Sequence, residues 1–327
     1  YTYYPIIIPT YYLIYLYRLN YSGGENQFYD FNPNSSQAPY GGFGGAPNCT
    51  PVKTPVIFIH GNGEESKVWD KPASTGALSV YDQFISKGYK ECELFGVNYL
   101  EDSDRGNNNA QFNYHTSGKA QIISNFIQAV LNYTGKSKVD IVAHSMGVTV
   151  SLHGIDYGNK WSKIRKFINI GGALKGLGVC YGFGSANAMY PTCGSQNYWN
   201  SNTFGFYPHG YYPYWPYTYV SNSRLGSSSS SFYKKPAAKT SVLFYTIHAN
   251  DNDQIFCNNI SMMYDGYSCS SRSKFYARSN VKAQLDVGSG STALHLDWDL
   301  EDFTFFNLSG GDLDGVGHFK SRYNTGI

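Results

Sequence analysis

The stretch from Lys138 to Ile155, KVDIVAHSMGVTVSLHGI, constrains the fold of this chain more than any other segment. The short, largely β-branched run 139–142 predicts a buried strand, and the apolar residues after it recur four apart, as in a helix. Ser145 therefore falls where a strand turns into a helix, with the small residues Ala143 and Gly147 two places away on either side. This layout predicts a nucleophile elbow, in which a tight turn holds a serine hydroxyl clear of the backbone. The alternative is that Ser145 only caps the helix, because serine is favoured there too.

Strand and helix patterns alternate along most of the chain. Predicted strands lie at 55–59, 92–100, 139–142, 164–174, 240–251 and 281–287, and predicted helices at 76–88, at 116–135 and directly after Ser145. This alternation, together with the elbow, predicts an α/β-hydrolase fold with a mostly parallel, doubly wound sheet. We expect an irregular N-terminal extension over residues 1–50 and one domain over 51–327. Within it, residues 176–238 lack periodicity and are rich in aromatic, Gly and Ser residues, which predicts a lid-like insertion.

A serine nucleophile needs a base that takes its proton and an acid that orients the base. In α/β-hydrolases the acid follows the serine in the chain, and a histidine follows the acid. Among the histidines after Ser145, His318 lies in a glycine-rich loop near the C-terminus, GDLDGVGHFKS, where the base is expected. The acid is expected after the strand in TIHANDNDQI, which offers Asp251 and Asp253. The pattern of residues favours neither aspartate strongly.

An oxyanion hole needs two backbone N–H groups directed at the developing negative charge. Met146, which follows the nucleophile at the start of its helix, is expected to supply one of them. The HGNG loop at 60–63 is expected to supply the other, with Asn62 as the donor. We interpret His60, in the same loop, as a structural residue.

The charge of the chain is low and its aromatic content is high. A net charge of +2, with 15% charged residues, gives no indication of a nucleic-acid partner. Aromatic residues make up 17% of the chain, and exposed aromatic residues in quantity mark interaction sites. We therefore predict an apolar substrate surface formed by Phe112, Tyr114, Tyr198, Trp199, Phe204 and Phe206. The apolar segment 5–17, PIIIPTYYLIYLY, is too short and too Pro-broken for a membrane span, and we expect it to pack on the domain or on a second copy of the chain.

The cysteines and the glycosylation sequons both favour a secreted protein. The six cysteines are even in number and form no C-x-x-C pair, so disulfides are favoured over a zinc site. We expect the sequential pairing Cys49–Cys92, Cys180–Cys193 and Cys257–Cys269. N-x-[ST] sequons begin at Asn20, Asn34, Asn48, Asn132, Asn259 and Asn307. Each sequon is a weak signal alone, but together with paired cysteines they indicate a secretory route.

Several blocks of the sequence, in order, resemble extracellular poly(3-hydroxybutyrate) depolymerases of the type that attacks the native, amorphous polymer. They include YGGFGGAPNC, GKSKVDIVAHSMGV, PTCGSQNYWNSNTFGF and DGVGHFKSRYNTG, and they extend from Tyr40 to the C-terminus. The elbow is shared with many lipases, whereas the block around Cys193 and the GVGHF block are more specific. The resemblance implies a lipase-like fold and a shared disulfide framework. It prefers Asp253, in a D-Q-I block, as the acid, and it implies the same roles for Ser145, His318, Asn62 and Met146.

These observations predict a secreted serine esterase that cleaves poly(3-hydroxybutyrate) or a similar aliphatic polyester. The first alternative is a lipase or general carboxylesterase with the same triad, acting on a lipid-like ester. The second is a non-catalytic extracellular structural or adhesive protein on a hydrolase scaffold, which the high tyrosine content motivates. No metal or cofactor is implied, and self-association through the N-terminal aromatic segment is the one protein contact that we expect.

Overall fold

The computed structural model describes residues 37–71, 77–178, 186–194, 200–211, 219–226, 228–256, 269–290 and 315–323, together with Cys180 and Asp312. The strands are β1 (Gly42–Phe43), β2 (Val56–Ile59), β3 (Leu94–Val97), β4 (Val139–His144), β5 (Ile164–Ile170), β6 (Gly210–Tyr211), β7 (Tyr219–Val220), β8 (Leu243–His248) and β9 (Val281–Asp286). The helices are α1 (Val80–Ser86), α2 (Ser117–Thr134), α3 (Met146–Tyr157), α4 (Lys235–Ala238) and α5 (Cys269–Arg272). Short 3₁₀ turns, such as Ser66–Asp70, Asn107–Phe112, Asn250–Asn252 and Lys320–Tyr323, lie between them.

Seven of these strands form one sheet, in the order β1-β3-β2-β4-β5-β8-β9. The edge strand β1 runs antiparallel to β3, and every other neighbouring pair is parallel. The predicted α/β-hydrolase fold with a mostly parallel sheet is therefore confirmed. Strands β6 and β7 pair with each other, outside this sheet, in the segment that the sequence assigned to an insertion.

Strand β2 shows how the sheet separates two hydrophobic cores. All four of its residues are buried, and successive side chains of a strand point to opposite faces. Ile57 and Ile59 join the core cluster that contains helices α2 and α3, whereas Val56 and Phe58 join the one on the other face. In the second cluster the Phe58 ring lies 5.3 Å from Trp69, between centroids. A strand buried on both faces is what a doubly wound parallel sheet requires.

Helix α2 lies within the predicted range 116–135, and residues 116 and 135 cap its two ends. The Thr116 side chain accepts a hydrogen bond from the Lys119 amide, 3.2 Å away, and so caps the first turn. Gly135 ends the helix in the left-handed conformation, with φ 66°. The predicted strand 164–174 is shorter in the structure, because Gly171, with φ +54°, turns the chain out of the sheet directly after Ile170.

Two of the three expected disulfides join described residues, and both are formed. Cys49 pairs with Cys92, and Cys180 pairs with Cys193. Cys257 lies outside the described residues, as does the aromatic segment 5–17, so both remain predictions. The sequons at Asn20, Asn34, Asn259 and Asn307 also lie outside them. Among the described residues, no helix has the length and the apolar character that a membrane span requires.

Candidate active site

Ser145 occupies a strained turn between strand β4 and helix α3. Its backbone has φ 54° and ψ −127°, and the helix begins at the next residue. Positive φ is uncommon for a residue other than glycine, and a strained serine turn is a property of the nucleophile elbow. The Ser145 side chain makes no capping hydrogen bond, so the structure gives no support to the helix-cap alternative. Gly147 packs so closely on the preceding loop that a Cβ atom there would lie 2.2 Å from the His60 carbonyl oxygen.

His318 and Asp253 form a buried pair. His318 Nδ1 lies 2.9 Å from Asp253 Oδ2. The other oxygen, Oδ1, accepts hydrogen bonds from the backbone amides of Ile255 and Phe256, each at 3.0 Å. Because an ionised carboxylate only accepts hydrogen bonds, Nδ1 carries the proton of a neutral imidazole and Nε2 carries the lone pair. Nε2 is buried and has no hydrogen-bond partner within the described residues. It is therefore available to accept a proton from a nucleophile.

The 3₁₀ turn at Asn250–Asn252 separates the two aspartates that the sequence left open. Asp251 lies within the turn and is exposed, whereas Asp253 follows it and is only 3% exposed. Of the two, Asp253 is the one that contacts His318.

The turn after strand β5 lies between the Ser145 turn and His318. The Ser145 amide donates to the Ile170 carbonyl across 2.9 Å, and Gly171 comes next. A Cβ atom on Gly171 would lie 3.3 Å from His318 Nδ1 and 3.7 Å from Asp253 Oδ2. His318 and Asp253 therefore lie against this glycine, and the Ser145 backbone is bonded to the residue before it, beyond the carboxyl ends of β4, β5 and β8. In open parallel sheets this is the edge at which ligands bind.

The two expected oxyanion donors also lie at this edge. Met146 is the first residue of α3, where backbone N–H groups have no partner within the helix. The Asn62 side chain is held by neighbouring loop residues, because Nδ2 donates to the Ala110 carbonyl and Oδ1 accepts from Asn113. The Gly61 amide donates to Glu64 Oε2 across 2.8 Å, so it is already occupied. This arrangement favours the backbone N–H of Asn62 as the second donor.

A family model described as Lipase (class 2) matches residues 53–287, more than half of the chain. The chain belongs to the class 2 lipase family. It is similar to the Bacillus licheniformis lipase BlEst2 in propeptide form, with 15% identity, a TM-score of 0.46, and coverage of 75% of this chain and 49% of that one. The mature form of BlEst2 is 14% identical, with a TM-score of 0.41, and the match covers 75% of this chain and 90% of that one. Aspergillus fumigatus lipase B is 15% identical, with a TM-score of 0.28, and the match covers 38% of this chain and 26% of that one. The chain thus spans about a quarter of lipase B and about half of the BlEst2 propeptide form.

Gln254 and Asp312 hold the backbone around His318. Gln254 Oε1 accepts from the His318 amide across 2.7 Å, while Gln254 Nε2 donates to Asp312 Oδ2. The same Asp312 carboxylate accepts from the amides of Gly317, Phe319 and Lys320 at 2.8–3.0 Å. One carboxylate therefore organises the main chain on both sides of His318.

A second group of polar residues lies behind the Ser145 turn. Glu64 Oε1 accepts from Arg322 Nη1 at 2.5 Å, and Glu64 Oε2 lies 3.6 Å from His144 Nδ1. His144 Nε2 is 3.1 Å from the His318 carbonyl oxygen. A carbonyl can only accept, so His144 Nε2 carries the proton and Nδ1 is an acceptor, with Arg322 Nη1 3.3 Å away. Burial lowers the pKa of His144 to about 4, which keeps this imidazole neutral near pH 7.

His60 and His153 are also held neutral by the core. Burial lowers the pKa of each imidazole to about 4. The His60 ring stacks on Tyr99 with centroids 4.3 Å apart, and its Nδ1 lies 2.8 Å from the Gly61 carbonyl oxygen. These contacts agree with the interpretation of His60 as a structural residue.

The aromatic residues predicted to bind substrate fall into three groups in the structure. Phe112 is 48% exposed on the loop that holds Asn62, and Tyr114 is half-buried, with Lys119 Nζ 5.7 Å from its ring centroid. Phe204 and Phe206 are each 4% exposed and pack on the His115 ring in the core. The prediction that these two side chains form a substrate surface is therefore wrong. Tyr198 and Trp199 lie outside the described residues.

Sequence reasoning missed the four residues that support the site: Glu64, Gln254, Asp312 and Arg322. Two of them had a usable signal, because Gln254 follows the acid directly and Asp312 lies in the glycine-rich segment that carries the base. Glu64 and Arg322 had none, since they are 258 positions apart and only the fold pairs them.

Proposed function

We propose that this protein is a secreted serine esterase that hydrolyses an aliphatic polyester of the poly(3-hydroxybutyrate) type. The observation that carries the proposal is the buried His318–Asp253 pair beside a serine in elbow conformation. Membership of the class 2 lipase family supports a carboxylic-ester hydrolase. The two expected oxyanion donors, Met146 and Asn62, lie at the same edge of the sheet as the Ser145 turn.

In the proposed reaction, Ser145 Oγ attacks the carbonyl carbon of the ester while His318 Nε2 takes the hydroxyl proton. The carbonyl electron pair moves onto oxygen, and the backbone N–H groups of Met146 and Asn62 bind this oxyanion. When the intermediate collapses, the ester C–O bond breaks, the imidazolium protonates the leaving alkoxide, and an acyl-enzyme remains. Water then adds to the acyl carbon as His318 takes its proton, and release of the acid returns the proton to Ser145. Asp253 stabilises the imidazolium in both halves of the reaction.

The choice of substrate rests on the sequence blocks shared with depolymerases and on apolar groups beside the site. Phe319 follows the base directly and is 41% exposed, and Phe112, at 48%, lies on the loop next to the oxyanion donor. Exposed aromatic side chains next to the proposed base and next to the loop of the proposed oxyanion donor suit an apolar chain better than a small polar ester. The two disulfides are compatible with secretion, because such bonds persist in oxidising compartments.

A lipase or general carboxylesterase with the same triad is the second candidate, and the family model favours it directly. The two candidates share every catalytic step and differ in the acyl chain that the site accepts. Rates on amorphous poly(3-hydroxybutyrate) and on a triglyceride emulsion, measured at equal enzyme, separate them. A depolymerase releases soluble hydroxybutyrate oligomers faster than it releases fatty acid. The reverse order assigns the protein to the lipases.

Chemical labelling tests the catalytic assignment independently of substrate. A fluorophosphonate probe, followed by peptide mapping, is expected to modify Ser145 and to leave Ser145→Ala unlabelled. His318→Ala is expected to lower the labelling rate by about 10³-fold or more, since the serine then has no base. Folded, disulfide-intact wild-type protein that does not react would overturn the proposal and favour a non-catalytic, structural or adhesive role.

A further inference from the structure

The Glu64 carboxylate contacts all three loops that carry the proposed catalytic groups. Its Oε2 accepts from the Gly61 amide at 2.8 Å, next to the expected oxyanion donor Asn62. It lies 3.6 Å from Nδ1 of His144, the residue before the nucleophile. Its Oε1 binds Arg322, in the 3₁₀ turn that follows the base. Residues 61, 144 and 322 are far apart in the sequence, yet all three lie next to this one carboxylate.

We propose that Glu64 and Arg322 are positioning residues that hold the oxyanion loop, the nucleophile elbow and the base loop in mutual register. This inference rests on the proposed function, since it assigns the pair a role in the same active site. Neither residue touches the reacting atoms in this role. They act through backbone groups: the Gly61 amide on one side and the His318 carbonyl, reached through His144, on the other.

The contacts form a continuous chain of donors and acceptors. Arg322 Nη1 donates to Glu64, and also lies 3.3 Å from the unprotonated Nδ1 of His144. His144 Nε2 donates to the carbonyl of His318, which also accepts from the Ser321 hydroxyl at 2.7 Å. The base therefore has its carbonyl fixed by His144 and its ring fixed by Asp253, 2.9 Å away. Without Arg322, His144 would lose a donor and Glu64 would keep an unpaired charge.

The burial of the pair argues against a role as an incidental surface ion pair. The Arg322 side chain is 3% exposed and the Glu64 side chain 19%. Arg322 also lies over the Tyr323 ring, with its Cζ 4.6 Å from the ring centroid, and donates to the Tyr323 hydroxyl. A buried pair of this kind contributes little net stability compared with apolar residues of the same size, but in some proteins such a pair selects one geometry. Fixed geometry is what a triad with an oxyanion hole needs, since a displacement of about 1 Å can cost on the order of 10²-fold in rate.

The first test compares Glu64→Gln with Asp140→Asn, a matched control. Asp140 is also a buried carboxylate paired with an arginine, with its Oδ1 2.9 Å from Arg165 Nε, but it lies at the opposite end of strand β4 from Ser145. For hydrolysis of p-nitrophenyl butyrate we expect Glu64→Gln to lower kcat by about 10- to 10²-fold and to change KM by less than about threefold. The fluorophosphonate labelling rate should fall by a similar factor. Asp140→Asn should keep kcat within about twofold at a comparable loss of thermal stability.

Arg322→Lys and Arg322→Met provide the rescue test. Lysine keeps the positive charge but not the guanidinium fork, so Arg322→Lys should recover part of the kcat that Arg322→Met loses. In the double variant Glu64→Gln/Arg322→Met the two losses should not add, because the residues act as one unit. Equal kcat for Glu64→Gln and Asp140→Asn at equal melting temperature, or additive losses in the double variant, would overturn the proposal.

Hydrogen exchange decides the inference even if the protein proves to lack esterase activity. Glu64→Gln should lose amide protection in two peptides at once, 59–65 and 318–323, whereas Asp140→Asn should leave both unchanged. Wild-type protein without fluorophosphonate labelling, but with this paired loss in Glu64→Gln, contradicts the proposed function and supports the positioning role. Loss confined to 59–65, or an equal loss in the control, contradicts the positioning role itself.

Discussion

Truncation of Asp312 is the perturbation that tests most directly how the base loop is held. The Asp312 carboxylate accepts four hydrogen bonds: three from the amides of Gly317, Phe319 and Lys320 and one from the Gln254 side chain. Gln254 in turn accepts from the His318 amide, so Asp312→Ala removes the direct contacts and releases Gln254 as well. No atom of Asp312 is required for the chemistry. A loss of activity would therefore report the position of His318.

The free energy that the loop loses in Asp312→Ala depends on which of the four donors water can hydrate in the variant. Phe319 and Lys320 are exposed, so their amides can be hydrated in the variant, at little cost. Gly317 is buried and Gln254 is only 7% exposed, so these two donors lose bonds to a charged acceptor that water replaces poorly. Hydrogen bonds to charged groups contribute about 1.5–3 kcal/mol each, so the ordered loop loses at least about 3 kcal/mol. Where the loop must be ordered for catalysis, 3 kcal/mol corresponds to about 10²-fold in kcat/KM.

The assay is kcat/KM on a soluble p-nitrophenyl ester, recorded with the melting temperature of each variant. Asp286→Ala is the control, because Asp286 is an exposed carboxylate at the end of β9 whose Oδ1 accepts one loop amide, from Gly288, at 3.0 Å. Asp312→Ala should lower kcat/KM by about 10²-fold, while Asp286→Ala should leave it unchanged within about twofold. If the two variants lose activity equally, the reasoning that Asp312 positions His318 is refuted.

The remaining predictions concern the elbow and the buried histidines. Gly147→Ala places a Cβ atom 2.2 Å from the His60 carbonyl oxygen and 2.8 Å from that of Ile59, so the elbow must move. We expect the free energy of unfolding to fall by about 1–3 kcal/mol and kcat to fall strongly. Gly118→Ala, where the added Cβ meets only Thr116 Oγ1 at 3.7 Å, is the control in urea unfolding, and an equal loss there would contradict the expectation. Burial lowers the pKa of His60, His144 and His153 to about 4, so between pH 6.5 and 4 the unfolded chain binds more protons than the native one, and stability is lost as the pH falls through that window. With three such groups, the free energy of unfolding changes by up to about 4 kcal/mol per pH unit. Urea midpoints that do not change between pH 7 and pH 5 would show that these histidines are not held in the neutral form by burial.

The parts of the fold that the sequence predicted correctly are those determined by local pattern. Alternating strand and helix patterns predicted the parallel sheet, and the predicted range 116–135 contains α2, because a capping residue and a C-terminal glycine leave signatures in the sequence itself. The elbow could be predicted from the sequence for the same reason. Its small residue at position 147 is required by contact with the backbone of the adjacent loop, and only glycine leaves room for that contact.

The parts that could not be predicted depend on which face a residue presents. Phe204 and Phe206 lie in an aromatic segment without periodicity, so composition could not distinguish core from surface, and the structure stacks Phe204 on His115 with centroids 4.2 Å apart. The pattern of residues did not separate Asp251 from Asp253, because their positions depend on the course of a three-residue turn; only the resemblance preferred Asp253. Glu64 and Arg322 needed the complete fold, because nothing near either residue indicates its partner.

The strain at Ser145 explains why so much of the support at this site is polar and comes from distant parts of the chain. A residue other than glycine in a sparsely populated region of φ and ψ costs on the order of 1–3 kcal/mol, and it persists only where its surroundings fix it. Here the Ser145 amide is held by Ile170 and its carbonyl accepts from Val148, while His144, immediately before it, is held through the His318 carbonyl and Arg322. Apolar packing alone would allow the elbow to relax by small rotations, since it is not directional. Hydrogen bonds are directional, and those from strand β5, helix α3 and the C-terminal 3₁₀ turn prevent such rotations. The same contacts hold His318 in place.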